Sequence, residues 1–139
     1  MTPKGSPLDG AEWALMREQV ATITALTKKR YGQPLDQSIA DLEVLQRLLD
    51  DHVYDETDTE GLRAIGSAVG NVIEKQLAFE WVALDDGDGR QPGLRLKTGR
   101  PVTVFPQRMI LRRIENGEPI NLAALFKGIK ADVAAARLI

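Results

Sequence analysis

The periodicity of the apolar residues changes near Phe79, and this change constrains the fold more than any other feature of the sequence. Before Phe79, apolar residues return every three or four positions, as on the buried face of an α-helix. After it they return every second position: Leu94 and Leu96 enclose Arg95, and segment 102–104 repeats the pattern. Such alternation is typical of half-buried strands. The sequence therefore predicts an α+β fold in which helices precede strands.

Three helices are predicted before the change of period. The first begins at Asp9, which has the spacing of a capping box with Glu12, and ends near Gly32. The second follows behind Asp36 or Ser38, either of which can act as its cap. The two helices each carry an apolar stripe, so we expect both to pack against a common core.

The third predicted helix, capped by Thr59, carries two glycines one turn apart, Gly66 and Gly70. Each interior glycine costs a helix about 1 kcal/mol relative to alanine. Two glycines at this spacing indicate that another element approaches the helix backbone closely, because no side chain separates the two. A ligand lying against the same strip is the alternative.

Three strands are predicted at 79–84, 93–97 and 101–105. The connections are too short for parallel crossovers, so the strands must pair as an antiparallel meander. Gly99 lies between the second and third strands, where it can supply the positive φ of a tight turn.

Two more helices follow the strands. Pro106 suits the first turn of a helix, where its missing N–H is not needed, and Asn121 can cap the last one. The predicted architecture is α+β: three N-terminal helices, a three-stranded antiparallel meander and two C-terminal helices.

Length and composition predict a single domain over residues 1–139, of which 1–8 are expected to be disordered. With 43% apolar residues, the chain can bury one core without a disulfide or a metal. The absence of cysteine excludes thiol nucleophiles and thiolate metal sites. The sequence shows neither a signal-peptide core nor about 18 consecutive apolar residues, so we expect a cytoplasmic protein without membrane contact.

The segment "DDGDG", residues 85–89, resembles an acidic metal loop at first sight. A calcium-binding EF-hand loop needs oxygen ligands at positions 1, 3, 5 and 12. Counted from Asp86, position 5 is Arg90 and position 12 is Lys97, and the count from Asp85 also fails. Aspartate and glycine are the residues that turns select, so we interpret the segment as a structural hairpin loop. We assign a structural role in this hairpin to Trp81, Asp86, Gly89, Arg90 and Pro92.

His52 is the only histidine, and it lies at the predicted end of the second helix. A positive charge is favourable there, which explains the residue without a catalytic role. Neither a Walker loop nor a dinucleotide-binding fingerprint is present. The sequence therefore predicts no catalytic, metal or cofactor site. It favours a protein that is not an enzyme but leaves that question open.

Charge is distributed unevenly along the chain. Residues 1–80 hold 8 basic and 14 acidic side chains, whereas 81–139 hold 10 and 6. The basic excess is densest in 90–113, where no acidic residue occurs. This pattern indicates either charge complementarity within the fold or a face that binds a partner.

Four arginines of the basic stretch could form a binding face. Arg108 and Arg112 are one turn apart on the helix that begins at Pro106, and Arg95 and Arg100 project from the predicted hairpin. Guanidinium groups bind carboxylates and phosphates in bidentate fashion, so the predicted partner is an acidic protein or an anion. Nucleic acid is not expected, because surface aromatic residues do not accompany the basic ones.

A set of residues between 62 and 126 carries a family resemblance. They are Gly66, Gly70, Trp81, Asp86, Gly89, Arg90, Pro92, Leu94, Arg95, Pro106, Met109, Ile110, Arg113, Glu115, Gly117 and Glu118. Together they make this segment similar to the bacterial domain-of-unknown-function family 3806. The resemblance implies a family-like core over about 62–126 and no particular activity. The helices over 9–52 lie outside it.

Two functional hypotheses follow. The first is a non-catalytic protein-interaction module, of the immunity or antitoxin type, whose charged face binds a protein partner. A deep pocket lined by converging polar groups would count against it. The second is a small-anion-binding domain or an enzyme that uses Arg95, Arg100, Arg108 and Arg112 with Asp86. The sequence does not specify the partner or the oligomeric state.

Overall fold

Five helices and one three-stranded sheet form the part of the chain that the computed structural model describes, residues 5–85, 87 and 89–138. The predicted α+β fold, with its order of three helices, an antiparallel meander and two helices, is confirmed. The elements are α1 Gly10–Tyr31, α2 Ala40–Asp50, α3 Thr59–Leu77, β1 Phe79–Asp85, β2 Arg90–Leu96, β3 Thr103–Val104, α4 Pro106–Glu115 and α5 Leu122–Ala136. None of these helices is long and apolar enough to cross a membrane.

The caps of α1 and α5 are as predicted. The Asp9 carboxylate accepts a hydrogen bond from the Glu12 N–H at 2.8 Å, and the Glu12 carboxylate accepts one from the Asp9 N–H at 2.9 Å, which completes the capping box. The Asn121 side chain accepts from the Ala124 N–H at 3.0 Å. Both caps depend on residues three positions apart, which is why a local pattern is enough to find them.

The caps predicted for α2 and α3 are wrong. The cap of α3 is Asp58 rather than Thr59, and its carboxylate accepts from the Gly61 N–H at 3.0 Å. Neither Asp36 nor Ser38 caps α2. Asp36 instead accepts a hydrogen bond from the Ser38 N–H at 3.0 Å and closes a turn before the helix.

The sheet has the order β1-β2-β3, but the bounds of all three strands differ from the prediction, by one residue in β1 and by more in β2 and β3. β2 begins at Arg90 rather than at residue 93, because its pairing with β1 continues to Asp85. β3 contains only residues 103–104. It is short because Pro101 has no N–H to donate and Phe105 already precedes the first turn of α4. The predicted positive φ of Gly99 is confirmed at 99°.

Pro92 lies inside β2, where a proline would ordinarily break the ladder of hydrogen bonds. It lies opposite Ala83, whose N–H and C=O point the other way and exchange hydrogen bonds of 2.8 and 3.0 Å with Ser6. The missing N–H of Pro92 therefore leaves no acceptor on β1 unpaired. The same bonds pair Ser6 with β1, and Leu8 is buried. Residues 1–4 lie outside the described part, and the expected disorder of residues 1–8 stays a prediction.

Helix α3 lies at the centre of the core, and its glycines receive the neighbouring elements. A Cβ on Gly66 would stand 2.6 Å from the Gln107 Cα, and one on Gly70 would overlap the indole ring of Trp81. The predicted close approach of another element is confirmed, because α4 begins directly over this strip. The packing of α4 on α3 positions the site described next.

Candidate functional site

An open cleft of about 660 Å³ lies where α1, α3, α4 and the start of β2 meet. Polar and apolar surface contribute equally to its lining, and glutamate and glutamine side chains are among the walls. Four arginines contribute to it from three different elements: Arg63, Arg90, Arg108 and Arg112. The cleft brings together basic residues that are up to 49 positions apart in the sequence, so their convergence is a product of the fold.

Arg90 serves the architecture of the cleft wall. Its guanidinium donates to the Glu12 carboxylate at 2.7 and 3.1 Å, to the Ser6 hydroxyl at 3.0 Å and to the Pro7 carbonyl at 3.0 Å. These bonds tie the β1–β2 hairpin to α1 and to the segment before it. Arg90 therefore has little donor capacity left for a ligand.

Glu12 titration should make part of the stability depend on pH. The Arg90 hydrogen bond, and then the Asp9 N–H, lower the pKa of Glu12. A lowered pKa in the folded state stabilises the protein above the ordinary Glu range, and this contribution is lost as the pH falls through the folded-state pKa. We expect Glu12→Gln to be less stable than wild type at about pH 7 and nearly equal to it at about pH 2.

Urea denaturation at both pH values measures this difference, with Glu56→Gln in the exposed α2–α3 connector as the control. That control should follow wild type at both pH values. A Glu12→Gln difference of the same size at pH 2 as at pH 7 would contradict the ion-pair explanation.

Arg108 and Arg112 project from the exposed side of α4 into the cleft, as the one-turn spacing suggested. Arg108 is half-buried, and its guanidinium carbon lies 5.3 Å from the centre of the Phe105 ring. Burial, and then the nearby charge of Arg112, lower the pKa of Arg108. The fold thus holds two positive charges close together at a place where one of them is partly desolvated.

Arg63 joins this pair from α3 and was not recognised in the sequence. It precedes Gly66 by three positions, so it lies on the face of α3 that receives α4. Because Arg63 lies about one turn before Gly66, the two glycines that indicated the contact could also have indicated Arg63. We use the name arginine group for Arg63, Arg108 and Arg112.

Two glutamines of the cleft lining, Gln19 and Gln107, are linked through Ser67, and we call these three side chains the floor of the cleft. The Gln107 amide nitrogen donates to the Ser67 hydroxyl at 2.8 Å, and the hydroxyl donates to the Gln19 amide oxygen at 2.7 Å. Ser67 is fully buried. Sequence reasoning missed this network, because the polar partners that a buried hydroxyl requires come from other elements of the chain.

Two of the four arginines predicted to form a binding face lie outside the cleft lining. Arg95 donates to the Glu80 carboxylate across the β1–β2 ladder at 2.6 and 3.1 Å. Arg100 is exposed beside the end of α5, where its main-chain N–H donates to the Ala136 carbonyl at 3.0 Å. The fold therefore brings Arg108 and Arg112 together and separates them from Arg95 and Arg100, because the strand side chain finds an opposite charge on its own sheet.

The hairpin residues are placed as follows. Trp81 is buried, with its indole N–H donating to the Asn71 side chain at 2.9 Å, and Gly89 has a φ of 108°. Asp86 lies outside the described residues, so its predicted role in the turn remains a prediction.

Among the described residues, no group of three or more histidine, aspartate or glutamate side chains is arranged to hold a metal ion.

Comparison with known proteins places the chain in a family. The model of a domain of unknown function, DUF3806, matches residues 41–126. The chain belongs to this family. The match begins about 20 residues before the predicted limit at residue 62 and includes nearly all of α2. No curated protein matches the chain.

The DUF3806 fold also occurs in a solved structure. A crystal structure from Bacteroides thetaiotaomicron VPI-5482 is 20% identical to this chain and aligns with a TM-score of 0.81. The alignment covers 93% of this chain and 47% of the other, so the chain spans about half of that protein's length. The similarity shows that the two proteins share a fold. The shared fold extends to elements of this chain that lie outside the family match.

Proposed function

We propose that this DUF3806 protein is a binding domain whose cleft recognises an anionic group through the arginine group. The observation that carries the proposal is the convergence of Arg63 from α3 with Arg108 and Arg112 from α4 on one concave surface. Guanidinium groups offer several N–H donors in a planar fork that fits carboxylates and phosphates. A concave site that gathers such groups is suited to an anion rather than to an apolar ligand.

The chemistry of the lining supports binding more than catalysis. Arginine stays protonated near neutral pH and glutamine does not titrate, so these groups recognise a ligand without exchanging protons with it. Of the two carboxylates at the rim, Glu12 is already engaged by Arg90. The lining therefore favours the anion-binding hypothesis over an acid–base enzyme.

The proposal modifies both hypotheses drawn from the sequence. It keeps Arg108 and Arg112 and replaces Arg95 and Arg100 with Arg63. A cleft of this size counts against an interaction module that works through a flat charged face alone. The interaction hypothesis is compatible with the cleft when the anion is carried by a partner protein.

Titration with small anions tests the proposal. We expect glutarate and inorganic phosphate to bind wild type at low ionic strength, followed by two-dimensional amide NMR or by calorimetry. Hydrogen bonds to charged groups contribute about 1.5–3 kcal/mol, so Arg108→Ala should weaken binding about 10- to 100-fold. Added salt should weaken it further, since exposed charges are screened.

Arg100→Ala is the matched control, because it removes the same charge from an exposed position outside the cleft lining. It should bind both anions as wild type does. Equal weakening by Arg100→Ala and Arg108→Ala would mean that net charge, rather than the cleft, attracts the anion. Absence of binding at millimolar concentration would overturn the proposal.

A further inference from the structure

The floor of the cleft leaves one hydrogen-bond donor and one acceptor available. Gln107 uses its amide nitrogen toward Ser67, and Gln19 uses its amide oxygen, so the Gln107 oxygen and the Gln19 nitrogen remain. Within the described part of the chain, every buried side-chain nitrogen or oxygen has a hydrogen-bond partner. The two remaining glutamine atoms are therefore accessible rather than buried. Both residues are half-buried and line the cleft, so the two remaining atoms are open to it.

The available pair does not depend on the direction of the hydrogen-bond chain. Reversing both amides makes Gln19 donate to Ser67 and Ser67 donate to Gln107. One donor and one acceptor are again left, with their positions exchanged. The two amides are neighbours, since the Gln107 nitrogen lies 3.4 Å from the Gln19 oxygen.

We propose that the cleft binds a peptide segment whose acidic residue meets the arginine group while the main chain pairs with Gln19 and Gln107. An extended residue presents its own N–H and C=O to the same side, as in a β-ladder, and so supplies the acceptor and the donor that the floor requires. This inference rests on the proposed anion binding and adds the class of the ligand.

The shape beside the cleft fits a segment longer than one residue. A second groove of about 410 Å³ lies next to the cleft and shares Leu15, Gln19 and Arg63 with it. Leu15 lies at the junction with 56% of its surface exposed, and it offers an apolar contact to the next side chains of a bound segment. The far part of the groove includes Glu18 and Glu60, so the acidic residue must lie at the arginine end.

A capped pentapeptide with one central glutamate and flanking leucine and alanine is the probe, compared with glutarate. We expect wild type to bind the peptide about 5- to 150-fold more tightly than glutarate, because two additional hydrogen bonds form. Methylation of the glutamate amide nitrogen removes the peptide's donor and should weaken its binding about 2- to 10-fold. This arm uses wild-type protein and therefore does not depend on the folding of a variant.

Gln19→Met and Gln107→Met should each weaken peptide binding several-fold more than glutarate binding. Gln33→Met, at an exposed position before α2, is the control and should leave both unchanged. If the peptide, its methylated form and glutarate bind equally, the peptide inference is overturned and anion binding stands. If none of them binds, both proposals fail.

Discussion

Replacing Trp81 by alanine is expected to lower the free energy of unfolding by about 3–5 kcal/mol, the range measured for truncating large aromatic core residues. The side chain is only 5% exposed. Its ring covers Gly70 of α3, which has no side chain to move into the space left behind. Because alanine has no indole N–H, the Asn71 amide oxygen also loses the hydrogen bond that it accepts from Trp81. Denaturant unfolding followed by circular dichroism measures the loss.

Trp81→Phe separates the two contributions. Phenylalanine keeps most of the apolar volume but cannot donate to Asn71, so we expect a loss of about 1–3 kcal/mol from the unpaired acceptor and the smaller ring. Asn71→Ala in the same background should then cost less than in wild type, because the hydrogen bond is already absent. A loss below about 1 kcal/mol for Trp81→Ala would mean that the sheet does not depend on this contact with α3.

Local patterns were sufficient wherever a structural feature depends on residues close in sequence. The capping box of Asp9 and Glu12 and the turn at Gly99 are examples, since both reflect the conformation of four or fewer consecutive residues. The change of period near Phe79 located the passage from helices to sheet for the same reason. The cap of α3 shows the limit of such local patterns. Asp58 and Thr59 are adjacent and both suit a cap, so the sequence pattern does not decide between them.

Features that depend on distant pairing were not predictable in the same way. Pro92 is compatible with β2 only because Ser6 takes the hydrogen bonds of Ala83 on the other side. Glu12 and Arg90 are 78 positions apart, and nothing in either local sequence indicates that they pair. Such contacts follow from how the elements pack, and packing is not encoded in the spacing of any one element.

The candidate site shows both situations. Arg108 and Arg112 could be grouped because they are one turn apart on one helix. Arg95 was grouped with them on charge alone, and the prediction overlooked Glu80, its opposite-charge neighbour across the ladder. Arg63 reaches the site because α4 crosses α3 at the glycines. The glycine pair was thus the most informative local signal for the site, although the sequence reading used it only for packing.

Gly66 should accordingly be the position in α3 where a small addition has a large effect. Gly66→Val is expected to lower the free energy of unfolding by about 3 kcal/mol, at the upper end for overpacked cores. The reason is that the added Cβ meets main-chain atoms: the Gln107 Cα at 2.6 Å and the Gln107 nitrogen and Pro106 oxygen at 3.0 Å. Main-chain atoms cannot rotate away, so α4 must move as a unit.

Gly128→Val is the matched control, because Gly128 lies within α5 and a Cβ there meets nothing within 4 Å. Valine is a slightly better helix former than glycine, so this variant should be as stable as wild type or slightly more stable. Both variants make the same glycine-to-valine change in helix propensity, so this change cancels. The difference between their free energies of unfolding then measures the α3–α4 contact. Because α4 also carries Arg108 and Arg112, Gly66→Val should weaken glutarate binding when folded. Equal stability of the two variants would contradict the close contact between α3 and α4. It would also contradict the explanation that this contact brings Arg63 near Arg108.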